Sequence, residues 1–318
     1  MAFFARLAIS LLLLGIQPLI GETLAQDFPN RPIRIVNGAS PEIVPRIFAK
    51  KITDALNQAV VVESIPGAGG KLAADAVAKS KPDGHTLFHV TATYMIYLAQ
   101  ERSAGDVSRD YVPVAMGTYT PFVLIVNSAL PVNTVQELVA LAKAKPGELN
   151  YGASAGFPHF AFELLKKMAK VNIVYIPYKR SDDVVAAILS GQVHATFTPN
   201  TQAAGLSKSG KARTLAVAPG QRSRSLPDVP TLAETGFPGY DLLGWTGFVA
   251  PLGTPPAVVV KLNAIVRKAL GQAEVQEQIS RVNQDLGSDF SPEQFAEFLK
   301  AETLKWRKLV NDIGFKIG

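Results

Sequence analysis

Short β-branched runs alternate along most of this chain with stretches whose apolar residues recur every third or fourth position, the pattern of strands and amphipathic helices in turn. Ile33 to Val36 reads as a strand, and Ile43, Ile47, Phe48, Ile52 and Leu56 then fall at helical spacing. Val60 to Val62 predicts the next strand, followed by Pro66-Gly67-Ala68-Gly69-Gly70, a helix to about Lys79 and a strand over Thr86 to Val90. Phe122 to Val126 continues the series, and Thr134 stands as the cap of a helix running to Lys143. The middle of the chain repeats this rhythm. Its strands are predicted at Leu149 to Tyr151, Ile173 to Ile176, Ala195 to Phe197 and Thr214 to Val217. Helices over Phe160 to Met168, Asp183 to Leu189 and Ala203 to Ser209 fill the gaps. Prolines 227, 230, 238, 251, 255 and 256 then crowd one region, as turns and crossings between lobes do.

The last stretch is helical. Ser291-Pro292-Glu293-Gln294 gives a start signal of N-cap serine, first-position proline and third-position Gln. Phe295, Phe298, Leu299, Trp306, Leu309 and Val310 fall on one face. A helical tail without strands of its own has to pack on an existing layer. The predicted fold is therefore α/β with two lobes, each a largely parallel sheet flanked by helices. One lobe is discontinuous, residues 26–125 plus 249–318, and encloses a second of residues 126–248.

Composition narrows the function. Arg6 precedes an apolar run from Leu7 to Ile20, and Thr23-Leu24-Ala25 reads as a small-residue cleavage site. The run is shorter than the roughly 20 residues of a spanning helix, so residues 1–25 are expected to be a signal peptide cleaved before Gln26, with the mature chain in the periplasm. The absence of cysteine excludes disulfides, thiolate catalysis and zinc-thiolate sites. The 32 Lys and Arg against 26 Asp and Glu give a net charge of +6. These charges are scattered and not interleaved with stacking aromatics, so nucleic acid is discounted.

Candidate chemistry collects where a strand passes through small residues into a helix. Unpaired amides and the helix dipole favour an anion at such a corner. Four corners qualify: Asn37 to Glu42, with Ser40 between them; Pro66 to Gly70; Thr91 to Thr93; and Ser154-Ala155-Gly156 on to His159. Tyr178, and Thr198 and Asn200 just past the strand at Ala195 to Phe197, complete the candidate ligand-binding set. Two corners facing each other across a cleft would suit a small carboxylate. The glycine cluster does not make a nucleotide loop, because Leu72 stands where a Walker motif needs Ser or Thr and where GxGxxG needs its third glycine. Gly152-Ala153-Ser154-Ala155-Gly156 matches a nucleophile elbow between strand and helix, which keeps a serine hydrolase as an alternative. That fold needs a histidine near the C-terminus, and the last one here is His194. His85, His89, His159 and His194 form no metal-ligand spacing, so neither metal nor other cofactor is expected.

Six segments in order carry a likeness to a known family. They are Pro66 to Gly70; Ala78-Lys79-Ser80-Lys81-Pro82-Asp83-Gly84-His85-Thr86-Leu87; Lys145-Pro146-Gly147-Glu148-Leu149-Asn150-Tyr151; Tyr178-Lys179; Leu226-Pro227-Asp228-Val229-Pro230-Thr231-Leu232-Ala233-Glu234; and Ala250-Pro251-Leu252-Gly253-Thr254-Pro255-Pro256. Together they resemble the substrate-binding receptors of tripartite tricarboxylate transporters (Bug-type periplasmic receptors). The resemblance implies a Venus-flytrap fold, a carboxylate in the cleft, a membrane permease as partner, and no chemistry. A monomer is expected. A sensory receptor serving a membrane kinase would share the same binding physics. The chain departs from the family in two loops. The one after the first strand is shortened and carries Glu42 where Asp is usual, and the facing loop at Ser154 to His159 is also short. Fewer amides and more room lead to the expectation of a monocarboxylate with a sizeable apolar body, walled by Phe157, Tyr94 and Trp245.

Overall fold

The computed structural model describes residues 28–38, 42–101, 107–223 and 226–315. Ser40 and the expected cleavage before Gln26 lie outside the described residues. Two sheets organise the chain. The first has the order β11-β4-β10-β3-β1-β2, from β1 (Ile33–Asn37), β2 (Val60–Ser64), β3 (Thr86–Thr91), β4 (Tyr111–Thr120), β10 (Gly244–Pro251) and β11 (Asp285–Leu286). The second has the order β7-β6-β8-β5-β9, from β5 (Phe122–Asn127), β6 (Asn150–Ser154), β7 (Val174–Tyr178), β8 (Ala195–Pro199) and β9 (Ala212–Val217). Helices α1 (Ile43–Leu56), α2 (Lys71–Ala78), α3 (Ala92–Gln100), α8 (Pro256–Leu270), α9 (Ala273–Arg281) and α10 (Pro292–Ile313) accompany the first sheet. Helices α4 (Val135–Ala144), α5 (Phe157–Ala169), α6 (Ser181–Ser190) and α7 (Asn200–Lys208) accompany the second.

The α/β architecture in two lobes is as expected, while each sheet is mixed. β1 pairs in parallel with β2 and β3, and β6 with β7 and β8; the strands that carry the chain across, β4, β5 and β10, pair antiparallel. The expected limits at 125 and 249 fall inside β5 and β10. The sheets exchange instead at Pro121, between β4 and β5, and ahead of Gly244. Both β4 and β10 escaped the sequence pattern for one reason. Pro113, Gly117, Gly244 and Gly247 look like breakers, but the ladder between these strands is irregular around them, with register shifts at Thr246/Gly247 and Phe248/Val249. Gly247 is also required by packing, since a Cβ there would lie 2.4 Å from the Phe295 ring of α10.

Burial follows the predicted faces. Val44, Phe48 and Ile52 of α1 meet Ile33, Ile35 and Phe248 on one side of the first sheet, where Val258, Leu262 and Val266 of α8 also pack. The other side carries α2, α3 and α10. From there one apolar cluster continues through Trp306 to Tyr151, Phe160, Phe162 and Phe197 of the second lobe. The long helix α10 opens with the expected capping box, Ser291 accepting from the Gln294 amide and Gln294 reaching back. It rests on α3 and β4 and also touches α5. Trp306 stands edge-on to Phe157 and Phe160 of α5 at 5.8 and 5.3 Å. A large apolar side chain buried this fully is worth about 1.5–3 kcal/mol, so α10 both completes the first lobe and adheres to the second.

Candidate functional site

In α/β sheets, ligands lie beyond the carboxyl ends of the parallel strands, where helix N-termini collect. Here those ends meet. A Cβ added to Gly156, the residue before α5, would come 2.6 Å from Thr93 Cγ2 at the start of α3. The corner at Thr91 to Thr93 in the first lobe thus faces the corner at Ser154 to Gly156 in the second. Gly156 has φ 102° and ψ −136°, a conformation open to glycine and strained for other residues. It leaves α5 without a side-chain cap, whereas Thr91 Oγ1 accepts from the Tyr94 amide at 3.4 Å.

Around the first-lobe corner, β1 ends in Asn37, which is buried and lies beside His89 of β3. His89 Nδ1 is 3.2 Å from Asn37 Oδ1. Burial pushes the imidazole down to about 3, so the ring is neutral. Gly38 follows, packed so closely on Gly70 that a Cβ would fall 2.5 Å from the Gly70 Cα. The glycine cluster is accordingly a turn with positive φ from Gly67 through Gly70, Ala68 included. It lets two backbones touch. Glu42 precedes α1, paired with Arg46 and accepting from Ser64 Oγ at 2.5 Å. The Ser64 hydroxyl, then the Arg46 guanidinium, hold its carboxyl below the usual range. Its charge is answered locally and does not stand alone against an anionic ligand.

In the second lobe, Ser154 pairs in register with Tyr178, the last residues of β6 and β7. The Tyr178 ring packs 3.0 Å from where a Cβ on Gly152 would sit, and its buried hydroxyl has no hydrogen-bond partner among the described residues. Thr198 Oγ1 donates to Gln202 Oε1 at 2.7 Å, and the Asn200 amide donates to the Pro121 carbonyl at 2.9 Å. That last bond ties the start of α7 to the crossing between sheets. Ala155 is exposed at the tip of its loop.

Several expected residues stand elsewhere. His159 is buried behind the second sheet, stacked on Tyr175 at 3.9 Å and edge-on to Phe315 at 4.7 Å. Burial lowers it to about 4. As the third residue of α5, it follows the inward face of that helix into the core and away from the cleft. Among the described residues no hydrogen bond joins Ser154 to a histidine. Tyr94 packs on Phe88, Phe157 stacks on Phe122 at 4.2 Å, and Trp245 donates to Glu302. All three are core residues, which removes the apolar walls expected for a bulky ligand. His89 was not among the candidates from sequence. Its signal is a polar residue inside Leu87-Phe88-His89-Val90, a strand covered on both faces. No group of three or more potential metal ligands occurs among the described residues.

The sequence profile described as tripartite tricarboxylate transporter family receptor matches residues 44–315. Protein BugT of Bordetella pertussis (strain Tohama I) is 32% identical over 302 residues, covering 92% of this chain and 92% of that protein. Among solved structures, Rpa4515 of R. palustris with adipate superposes with TM-score 0.82 at 31% identity, covering 91% of this chain and 99% of the other. MatC of Rhodopseudomonas palustris with bound malate gives TM-score 0.80 at 29% identity, covering 89% and 100%.

Proposed function

Because the chain belongs to the tripartite tricarboxylate transporter receptor family, we propose that it captures a small carboxylate in the periplasm and delivers it to the permease subunits of a membrane transporter. The observation that carries this reading is the approach of the Thr91–Thr93 and Ser154–Gly156 corners from opposite sheets. An anion seated beside this contact meets first-turn amides of both helices, together with the Ser154 hydroxyl. Each charge-assisted hydrogen bond is worth about 1.5–3 kcal/mol, and micromolar affinity needs about 8 kcal/mol, so a few bonds suffice after ordering costs. Asn37 and Glu42 flank the first-lobe end of the site; Tyr178, Thr198 and Asn200 flank the second. His159 acts as core. The lobes hinge at Pro121 and ahead of Gly244, and ligand bonds to both lobes favour the closed state. The chain works as a monomer without a cofactor, and it is exported with cleavage before Gln26.

Adipate and malate, found with two structural relatives, are the first acids to test. Calorimetry and thermal shift on the mature protein should show saturable binding, with about 2.7 kcal/mol of stabilisation at 100 times the Kd. A wider panel of mono-, di- and tricarboxylates that leaves the melting temperature unmoved would end the carboxylate reading.

A further inference from the structure

At the end of α5 away from Gly156 lies an open groove of about 550 Å³. The helix has 13 residues, which puts this end roughly 20 Å from the ligand corners. Lys166, Lys167 and Lys170 line the groove together with Asn172, while Val171 and Ile313, the last residue of α10, give it an apolar wall. One acid is present, Glu163, and it is already answered. Its Oε1 accepts from Lys166 Nζ at 2.7 Å and from the Tyr151 hydroxyl at 2.6 Å. Lys167 and Lys170 are exposed and have no ion-pair partner among the described residues.

Cations in the last turn of a helix answer its dipole, which accounts for Lys166 and Lys167 with no ligand at all. A third, Lys170, comes at a cost. It closes α5 in the left-handed conformation, φ 53° and ψ 50°, where any Cβ is strained and glycine is the usual choice. The other three helices closed by a left-handed residue use Asn57, Gly191 and Gly314. Glycine at 170 would cap as well, because the bond to the Lys166 carbonyl is made by the backbone amide. What the lysine adds is a third ammonium at the groove. We propose that this groove docks the second lobe on an anionic membrane surface, with the lysines meeting phospholipid phosphates and the Val171 and Ile313 wall lying against the glycerol region. The groove is open, and ammonium groups on long stems act as point charges, which suits a fluid layer of headgroups better than one oriented small anion. Each lysine near such a surface is worth roughly fivefold in binding, and the attraction fades over about 8–10 Å in physiological salt. Docking at this end leaves both ligand corners clear and holds the protein beside a membrane without a covalent anchor. The inference adds to the transport reading and does not depend on which acid is bound.

The test is co-sedimentation of the mature protein with vesicles of phosphatidylcholine alone, or of about two parts phosphatidylcholine to one of phosphatidylglycerol. Wild type should bind the mixed vesicles in dilute buffer, release them in roughly 0.5 M salt, and ignore phosphatidylcholine alone. Lys167→Gln with Lys170→Gln should weaken binding roughly 25-fold. Lys268→Gln with Lys300→Gln removes the same charge from exposed positions of the first lobe and should weaken it less than about threefold. Lys170→Gly should weaken binding about fivefold and leave the unfolding midpoint unchanged or higher, as expected of a residue kept for its charge. None of these variants should alter carboxylate affinity in calorimetry, so failure here stays distinct from failure of the receptor reading. No binding in dilute buffer, equal binding to both vesicle types, or an equal loss in the first-lobe control overturns the proposal. Self-association in place of vesicle binding, abolished by the Lys167 and Lys170 substitutions, would give the groove to a second copy and overturn it as well.

Discussion

Glu302 offers the sharpest test of how the two lobes are held by the C-terminal helix. It is 6% exposed, and a single oxygen, Oε2, accepts from the indole of Trp245 at 2.6 Å and of Trp306 at 2.8 Å. These are the chain's only two tryptophans. Trp245 stands at the start of β10, where the chain has just returned to the first sheet, and Trp306 packs on α5 of the second lobe. Glu302→Leu removes two bonds to a charged acceptor, each worth about 1.5–3 kcal/mol, and strands two buried indole N–H groups. Part of this is offset, because burying a carboxylate is itself costly. Lys305, a third exposed, returns to water at little loss. The net expectation is about 3–5 kcal/mol of destabilisation, a large part of the roughly 5–15 kcal/mol typical of whole domains. Glu302→Gln should cost only about 1 kcal/mol, because one amide oxygen has two lone pairs and can accept from both indoles. Guanidinium unfolding followed by far-ultraviolet circular dichroism is the assay, since indole fluorescence is itself perturbed. A leucine variant within about 1 kcal/mol of wild type, or no less stable than the glutamine variant, would refute the reasoning.

Gly156→Ala should cost about 1–3 kcal/mol from its backbone conformation alone, and its Cβ would press on Thr93. Calorimetry should therefore show weaker ligand binding as well as a lower unfolding midpoint, and unchanged affinity would separate the corners from the site. Ser154 should ignore fluorophosphonate probes, and stoichiometric labelling would revive the hydrolase. His89 and His159 are held neutral, their values lowered from about 6.5 to about 3 and about 4. The unfolded chain then binds more protons below about pH 6.5, so stability is full above that pH and falls as acid is added, by at most about 1.4 kcal/mol per pH unit for each ring. Chemical denaturation between pH 7 and pH 4.5 should show this slope, with His159→Phe flattening part of it; an unchanged slope would place the acid sensitivity elsewhere.

How far the sequence carried the structure depended on which physics left a local mark. Helix starts did: Thr134 and Ser291 cap α4 and α10 as the capping pattern requires, because the bond is made within three residues. The strands β4 and β10 did not. Their prolines and glycines are tolerated because the partner strand shifts register around them, a fact held in the pairing and invisible along either strand. The corners at Thr91–Thr93 and Ser154–Gly156 were legible as places where an anion could bind, but their meeting was not, since it depends on two crossings of the chain. The same gap explains His159 and His89. At the sequence level His159 stood next to a candidate loop and drew attention, although helical periodicity turns it inward. His89 sat inside an apolar strand and drew none. What distinguishes them is where each belongs: His89 lies in β3 beside the end of β1, and His159 lies in α5 behind the second sheet. Position along the chain is thus a weak guide to which polar residue reaches a site, because helical periodicity and strand pairing, and not nearness to a loop, decide which way each side chain is buried.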